Sequence, residues 1–134
     1  MQMSNGTILV VDDEAHIVQV VSLKLKNAGY DVLTAFDGEE AFETLMREPV
    51  DLVITDYQMP YMTGLELARS MSRHPLMAET PVLILTARGF GLDDSDLQIE
   101  NVKEVLTKPF SPRGILDRVA SIIALNTRGK SEAA

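Results

Sequence analysis

A chain of 134 residues that is 46% apolar and 24% charged has the ordinary globular balance needed to fill one core, since single domains run to roughly 100–150 residues. Its 20 acidic and 12 basic side chains give a formal net charge of -8, a field that repels phosphate backbones and anionic lipid and argues against direct nucleic-acid or membrane binding. Cysteine is absent, which excludes a disulfide framework, a thiolate nucleophile and Cys-ligated zinc, and fits a reducing compartment. Met1 to Gly6 shows no basic segment leading into an apolar one. No apolar run nears the roughly 20 residues of a membrane helix, so a cytoplasmic protein is expected.

Thr7-Ile-Leu-Val-Val11 is a β-branched apolar run that stops abruptly at Asp12-Asp13-Glu14, the pattern of a strand buried on both faces of a parallel sheet. Beyond it the period becomes helical through Ile17, Val20, Val21, Leu25 and Ala28, with Gly29 as the stop signal. Asp31 to Ala35 reads as a second strand. Asp37 is the N-cap of a helix that carries Ala41, Phe42, Leu45 and Met46 toward the core and closes at Pro49. Leu52 to Thr55 is a third buried run, again ended by an acid, Asp56. Met59-Pro60 and Gly64 mark the loop before a helix over Leu65 to Ser72.

Pro81 to Leu85 is the fourth strand, ending at Thr86-Ala87, and Glu104 to Thr107 the fifth, ending at Lys108-Pro109. Between them a short fourth helix is expected around Asp94 to Ile99. Ser111 and Pro112 form an N-cap and N1 pair for a last helix with the stripe Ile115, Leu116, Val119, Ile122 and Ile123. The expected division is a tail at 1–6, one domain at 7–125 and a loose tail at 126–134. Five strand-helix alternations predict a parallel sheet with helices on both faces, because parallel strands are joined by right-handed crossovers.

Ligands of such a sheet bind beyond the carboxyl ends of the strands. Asp12, Asp13, Asp56, Thr86 and Lys108 all converge there if the fold is doubly wound. Three clustered carboxylates repel one another unless a cation neutralises them or protons stay bound. Mg²⁺ prefers a few carboxylates with backbone, water and phosphate oxygens. Lys108 supplies a point charge for a phosphoryl oxygen and Thr86 a hydroxyl donor. Together these groups can hold a phosphoryl group during in-line transfer, with an aspartate as nucleophile.

Val10-Val11-Asp12-Asp13-Glu14, Asp56 with Met59-Pro60 and Gly64, Thr86-Ala87 and Lys108-Pro109-Phe110 together resemble a response-regulator receiver domain of two-component signalling. The likeness runs from Thr7 to Leu125. It implies a flavodoxin-like sheet in the order 2-1-3-4-5, an order that comes with the resemblance and not from the periodicities. It also implies that Asp56 accepts a phosphoryl group from a sensor histidine kinase or a phosphotransfer protein. Asp13, Asp56 and the Gln58 carbonyl would hold Mg²⁺, with Asp12 acting through bound water. Lys108 would pair with the phosphoryl oxygens through a loop with a cis bond to Pro109, and Thr86 would move toward the new phosphate.

Gln58 and Arg88 stand where the family tunes the lifetime of the acyl phosphate. Many members carry an aromatic three residues before the lysine, where this chain has Val105, so the Arg88-Gly-Phe-Gly91 loop with Phe90 is expected to carry more of the response. The resemblance further implies a downstream protein target on the face of the fourth helix, fifth strand and last helix, in a monomer or a phosphorylation-dependent dimer.

Other readings fit less well. An aspartyl-phosphate phosphatase of the haloacid-dehalogenase type places a second acid where Gln58 stands and carries large cap insertions. A flavin carrier on this fold needs a Ser/Thr/Gly-rich loop after the first strand. A degenerate scaffold would not keep the whole acidic set with Lys108. His16 and His74 have no partner at metal spacing and are expected to face solvent. Met59 to Met62 reads as loop packing with some exposure of Tyr61.

Overall fold

The computed structural model describes residues 4–86, 99, 101–107 and 111–133, with 126–133 as backbone alone. Five strands, β1 (Thr7–Val11), β2 (Asp31–Ala35), β3 (Leu52–Asp56), β4 (Val82–Thr86) and β5 (Val102–Thr107), form one sheet in the order β2-β1-β3-β4-β5. Every neighbouring pair is parallel. Around it stand α1 (Ala15–Asn27), α2 (Gly38–Arg47), α3 (Gly64–Ser72) and α4 (Pro112–Ala133). The expected fourth helix at Asp94 to Ile99 lies, apart from Ile99, outside the described residues.

Alternation along the central strands divides the core in two, because successive side chains of a strand point to opposite faces. Leu9, Val11, Val53, Val82 and Ile84 face α2 and α3, meeting Ala41, Leu45, Leu67 and Met71. Ile8, Val10, Leu52, Ile54, Leu83 and Leu85 face α1 and α4, meeting Val21, Leu25, Ile115 and Val119. The stripe expected for the last helix therefore packs as read. A sheet covered on both faces is why β1, β3 and β4 are continuous apolar runs, whereas the edge strands β2 and β5 are only partly buried.

Helix ends follow local chemistry. The Asp37 side chain accepts from Glu40 N at 2.8 Å, as an N-cap does. That helix ends at Arg47, with Glu48 extended ahead of Pro49, since a residue before proline is driven out of the α region. Thr63 and Glu66 form a reciprocal capping box at the start of α3. Ser111 Oγ accepts from Gly114 N at 2.9 Å and caps α4.

Several expectations are corrected. Val20 and Ala28 do not face the core: Val18, Val21, Ser22 and Leu25 are the buried residues of α1, and Val20 is exposed. Met46 also points outward, Thr44 taking the buried position. Strand β5 starts at Val102 and not Glu104, with a register shift opposite Val82/Leu83; Lys103 and Glu104 dilute the apolar signal there. The backbone of α4 continues to Ala133 where a loose tail is expected from Asn126. No proline follows Pro112, so nothing in that segment removes a helical N–H. Among the described residues no helix is long and apolar enough to cross a membrane.

Candidate functional site

The parallel register carries the ends of β1, β3 and β4 to one edge of the sheet. Val11 stands beside Thr55, and Asp56 beside Leu85, so the acids that follow the apolar runs meet at the C-terminal rim. One carboxylate oxygen from each of Asp12, Asp13 and Asp56 lies within 4.8 Å of the others. These are three of the five residues expected to converge at this edge. Asp12 is buried at 1% exposure and Asp56 at 6%, while Asp13 is exposed, so the cluster is a cleft with one open side.

Each carboxylate is set by its turn. Asp12 N donates to Ala35 O across the sheet edge at 3.2 Å. Asp12 Oδ1 accepts from Glu14 N at 2.9 Å, tying the β1–α1 turn and leaving α1 without a side-chain cap from Glu14 itself. Behind Asp56, Tyr57 N donates to Leu85 O at 2.7 Å and Gly64 N to Tyr57 O at 2.9 Å, which draws the β3–α3 loop back onto the strand end. The buried Thr55 hydroxyl donates to Asp56 O at 3.0 Å and lies 3.8 Å from Met59 Sδ.

Thr86 ends β4, buried at 3% exposure, in register with Thr107 of β5. The next residue after Thr107 in the chain is Lys108. Lys108, with Pro109, and the loop residues Arg88 and Phe90 lie outside the described residues. Gln58 is exposed, two residues past Asp56. Val105 is half-buried in β5 beside Ile84 and packs against the α2/α3 side of the core.

The donor set is oxygen throughout and triply acidic, the chemistry of a hard divalent cation such as Mg²⁺. The two histidines stand apart from it. His16 is exposed 3.5 Å from Glu14. His74 is half-buried, its ring edge-on to Phe42 at 5.7 Å and its Nδ1 accepting from Leu76 N at 3.2 Å, so it is a loop-packing residue more than a solvent-facing one.

Two features of the site had a sequence signal that the periodic reading passes over. Gly64 reads as a loop marker, but a Cβ there would meet Asp56 O at 2.5 Å, so it is the residue that lets the loop close on the acid. The Thr63-x-x-Glu66 spacing was the other, a capping signature directly before an apolar stretch.

Similarity to known proteins agrees with this geometry. Residues 8–120 match the model of the response regulator receiver domain. The phosphate regulon transcriptional regulatory protein PhoB of Pseudomonas aeruginosa is 35% identical over 135 residues, covering 98% of this chain and 57% of that protein. The alkaline phosphatase synthesis transcriptional regulatory protein PhoP of Bacillus subtilis is 41% identical over 120 residues, covering 89% of this chain and 49% of its own length. The chain thus spans about half the length of the curated relatives it matches. Among solved structures, the chemotaxis response regulator CheY4 of Vibrio cholerae superposes with a TM-score of 0.81 at 33% identity, covering 87% of this chain and 98% of that one. The chain belongs to the response regulator receiver domain family, the signalling modules of two-component systems.

Proposed function

We propose that this domain is switched by phosphorylation of Asp56 with Mg²⁺ bound. The observation that carries the reading is the meeting of three carboxylates from two strand ends within 4.8 Å, beside the buried end of β4. Such crowding is tolerable with a divalent cation and is costly without one.

In this reading a carboxylate oxygen of Asp56 attacks the phosphorus of a phosphohistidine on a sensor kinase or phosphotransfer protein. A P–O bond forms as the P–N bond breaks, and the imidazole leaves. Water later attacks the same phosphorus and releases inorganic phosphate, restoring the carboxylate. Asp13, Asp56 and the Gln58 carbonyl would hold the metal, with Asp12 acting through water. The bound cation supplies neutralising charge to the phosphoryl oxygens.

Thr86 donates its hydroxyl to the phosphoryl group, and Lys108 adds a compensating charge. Gln58 and Arg88 set how readily water reaches the acyl phosphate. With Val105 in place of an aromatic ring, the loop holding Phe90 carries the response onward, to a protein target at the face of β5 and α4. Strand and helix are joined on that face by an ion pair of Glu104 and Arg118 at 3.6 Å. The module turns over no external substrate as its purpose, and a cytoplasmic setting with a kinase partner goes with this reading.

Acetyl phosphate with Mg²⁺, followed by intact mass measurement, tests it. One phosphoryl adduct is expected on the wild type and none on Asp56→Asn. Equal modification of both proteins, or of neither, removes the mechanism.

A further inference from the structure

We propose that the cavity between the start of α2 and the β3–α3 loop docks a partner protein segment that presents an apolar side chain flanked by Lys or Arg. The proposal is independent of the phosphoacceptor reading. The cavity measures about 340 Å³, and Phe42, Pro60, Tyr61 and Met62 give it a mostly apolar lining. Asp37, Glu39 and Glu43 form its rim, with no basic side chain among the lining residues.

Tyr61 is the feature that the fold does not account for. Its φ is 69°, in the left-handed region that non-glycine residues rarely adopt. Met62 N donates to Pro60 O at 2.8 Å across it, which makes the segment a tight three-residue turn of the rare, strained kind. The ring itself is fully exposed. Backbone strain is thus maintained around an aromatic side chain that buries nothing in its own domain, a combination that marks ligand contacts more often than packing.

The turn is fixed from beneath. Met62 packs so closely on α2 that a Cβ at Gly38 would meet its Sδ at 2.6 Å. The Phe42 ring meets His74, which is not among the lining residues, edge-on at 5.7 Å. The pocket is therefore preformed, and an incoming apolar group would be gripped between Phe42 and Tyr61 at little ordering cost.

Charge selects the occupant. Glu39 and Glu43 are exposed one helical turn apart on α2, and the whole chain carries -8, so an acidic segment is repelled while a basic one is steered in. A second copy of this chain would bring the same acidic rim to the contact.

The test titrates the ¹⁵N-labelled full chain with a short synthetic peptide bearing a central Leu-Phe pair flanked by lysines, and with its counterpart bearing glutamates instead. The basic peptide is expected to shift the amides of Gly38, Phe42 and Met62 and to weaken with added salt, while the acidic one leaves them still. Tyr61→Gly, which relieves the turn, and the pair Glu39→Lys with Glu43→Lys are each expected to weaken binding at least about tenfold. Equal binding of both peptides, unchanged affinity in both variants, or shifts centred on Leu23 and Phe36 would overturn the proposal. So would shifts of the pocket amides with protein concentration alone, which would assign the face to a second copy.

Discussion

Gly64 lies against the backbone of Asp56 so tightly that a methyl group on its Cα would come 2.5 Å from the Asp56 carbonyl oxygen and 3.1 Å from Thr55 Cγ2. Both obstacles belong to the buried end of β3, so neither can swing aside as a surface side chain would. Gly64→Ala is expected to push the loop off the strand end, break the Gly64 N to Tyr57 O hydrogen bond and destabilise the fold by about 1–3 kcal/mol, the usual cost of overpacking. Chemical denaturation reads the loss, and acetyl phosphate labelling of Asp56 should slow in the same variant.

At Tyr61 the opposite outcome is expected. Replacement by glycine removes a left-handed non-glycine residue, worth of order 1 kcal/mol of strain, and adds unfolded-state freedom of about 0.5–1 kcal/mol. The ring buries nothing, so Tyr61→Gly should leave the unfolding free energy within about 0.5 kcal/mol of wild type. A loss above about 2 kcal/mol in urea denaturation would mean that the ring packs on the domain.

The acid cluster makes a prediction about metal. Asp13→Asn removes one charge from three that crowd the cleft, so in EDTA its melting temperature should rise above that of the wild type. Saturating Mg²⁺ should raise the wild-type Tm markedly and the variant's much less, because only a state that binds the ion gains from it. Scanning calorimetry with and without Mg²⁺ checks both signs.

Burial raises the pKa of the Tyr30 hydroxyl above the usual 10.0. The folded state thus holds this proton more tightly than the unfolded chain does. Its contribution to stability is complete below the unfolded value and is lost as pH climbs through the folded one. Ultraviolet titration should resolve one of the three tyrosines ionising late, and Tyr30→Phe should remove that phase. Three transitions near 10 would contradict it.

Much of the architecture was legible because burial on two faces leaves an unambiguous mark. Ile8 to Val11, Leu52 to Ile54 and Val82 to Leu85 have no polar residue that a one-sided strand would show, and the acid that ends two of these runs announces the edge where solvent returns. Helices were harder in detail. The α1 pattern offers Val18, Val20 and Val21 within one turn, and nothing local says which of them is covered; the rest of the fold decides, and it buries Val18 and Val21. Met46 points outward against its apolar character for the same reason, since an unbranched apolar side chain is tolerated on either face of α2.

What the order of residues determined alone was the alternation of strand and helix, the caps at Asp37 and Ser111, and the identity of the chemically loaded strand ends. Only the tertiary structure decided that Asp12 is sealed while its neighbour Asp13 is open. It also decided that a glycine eight residues beyond Asp56 closes the loop behind it. Successive side chains in a strand or turn diverge, and whether one meets water or another element depends on chain segments distant in sequence. No local pattern can carry that information.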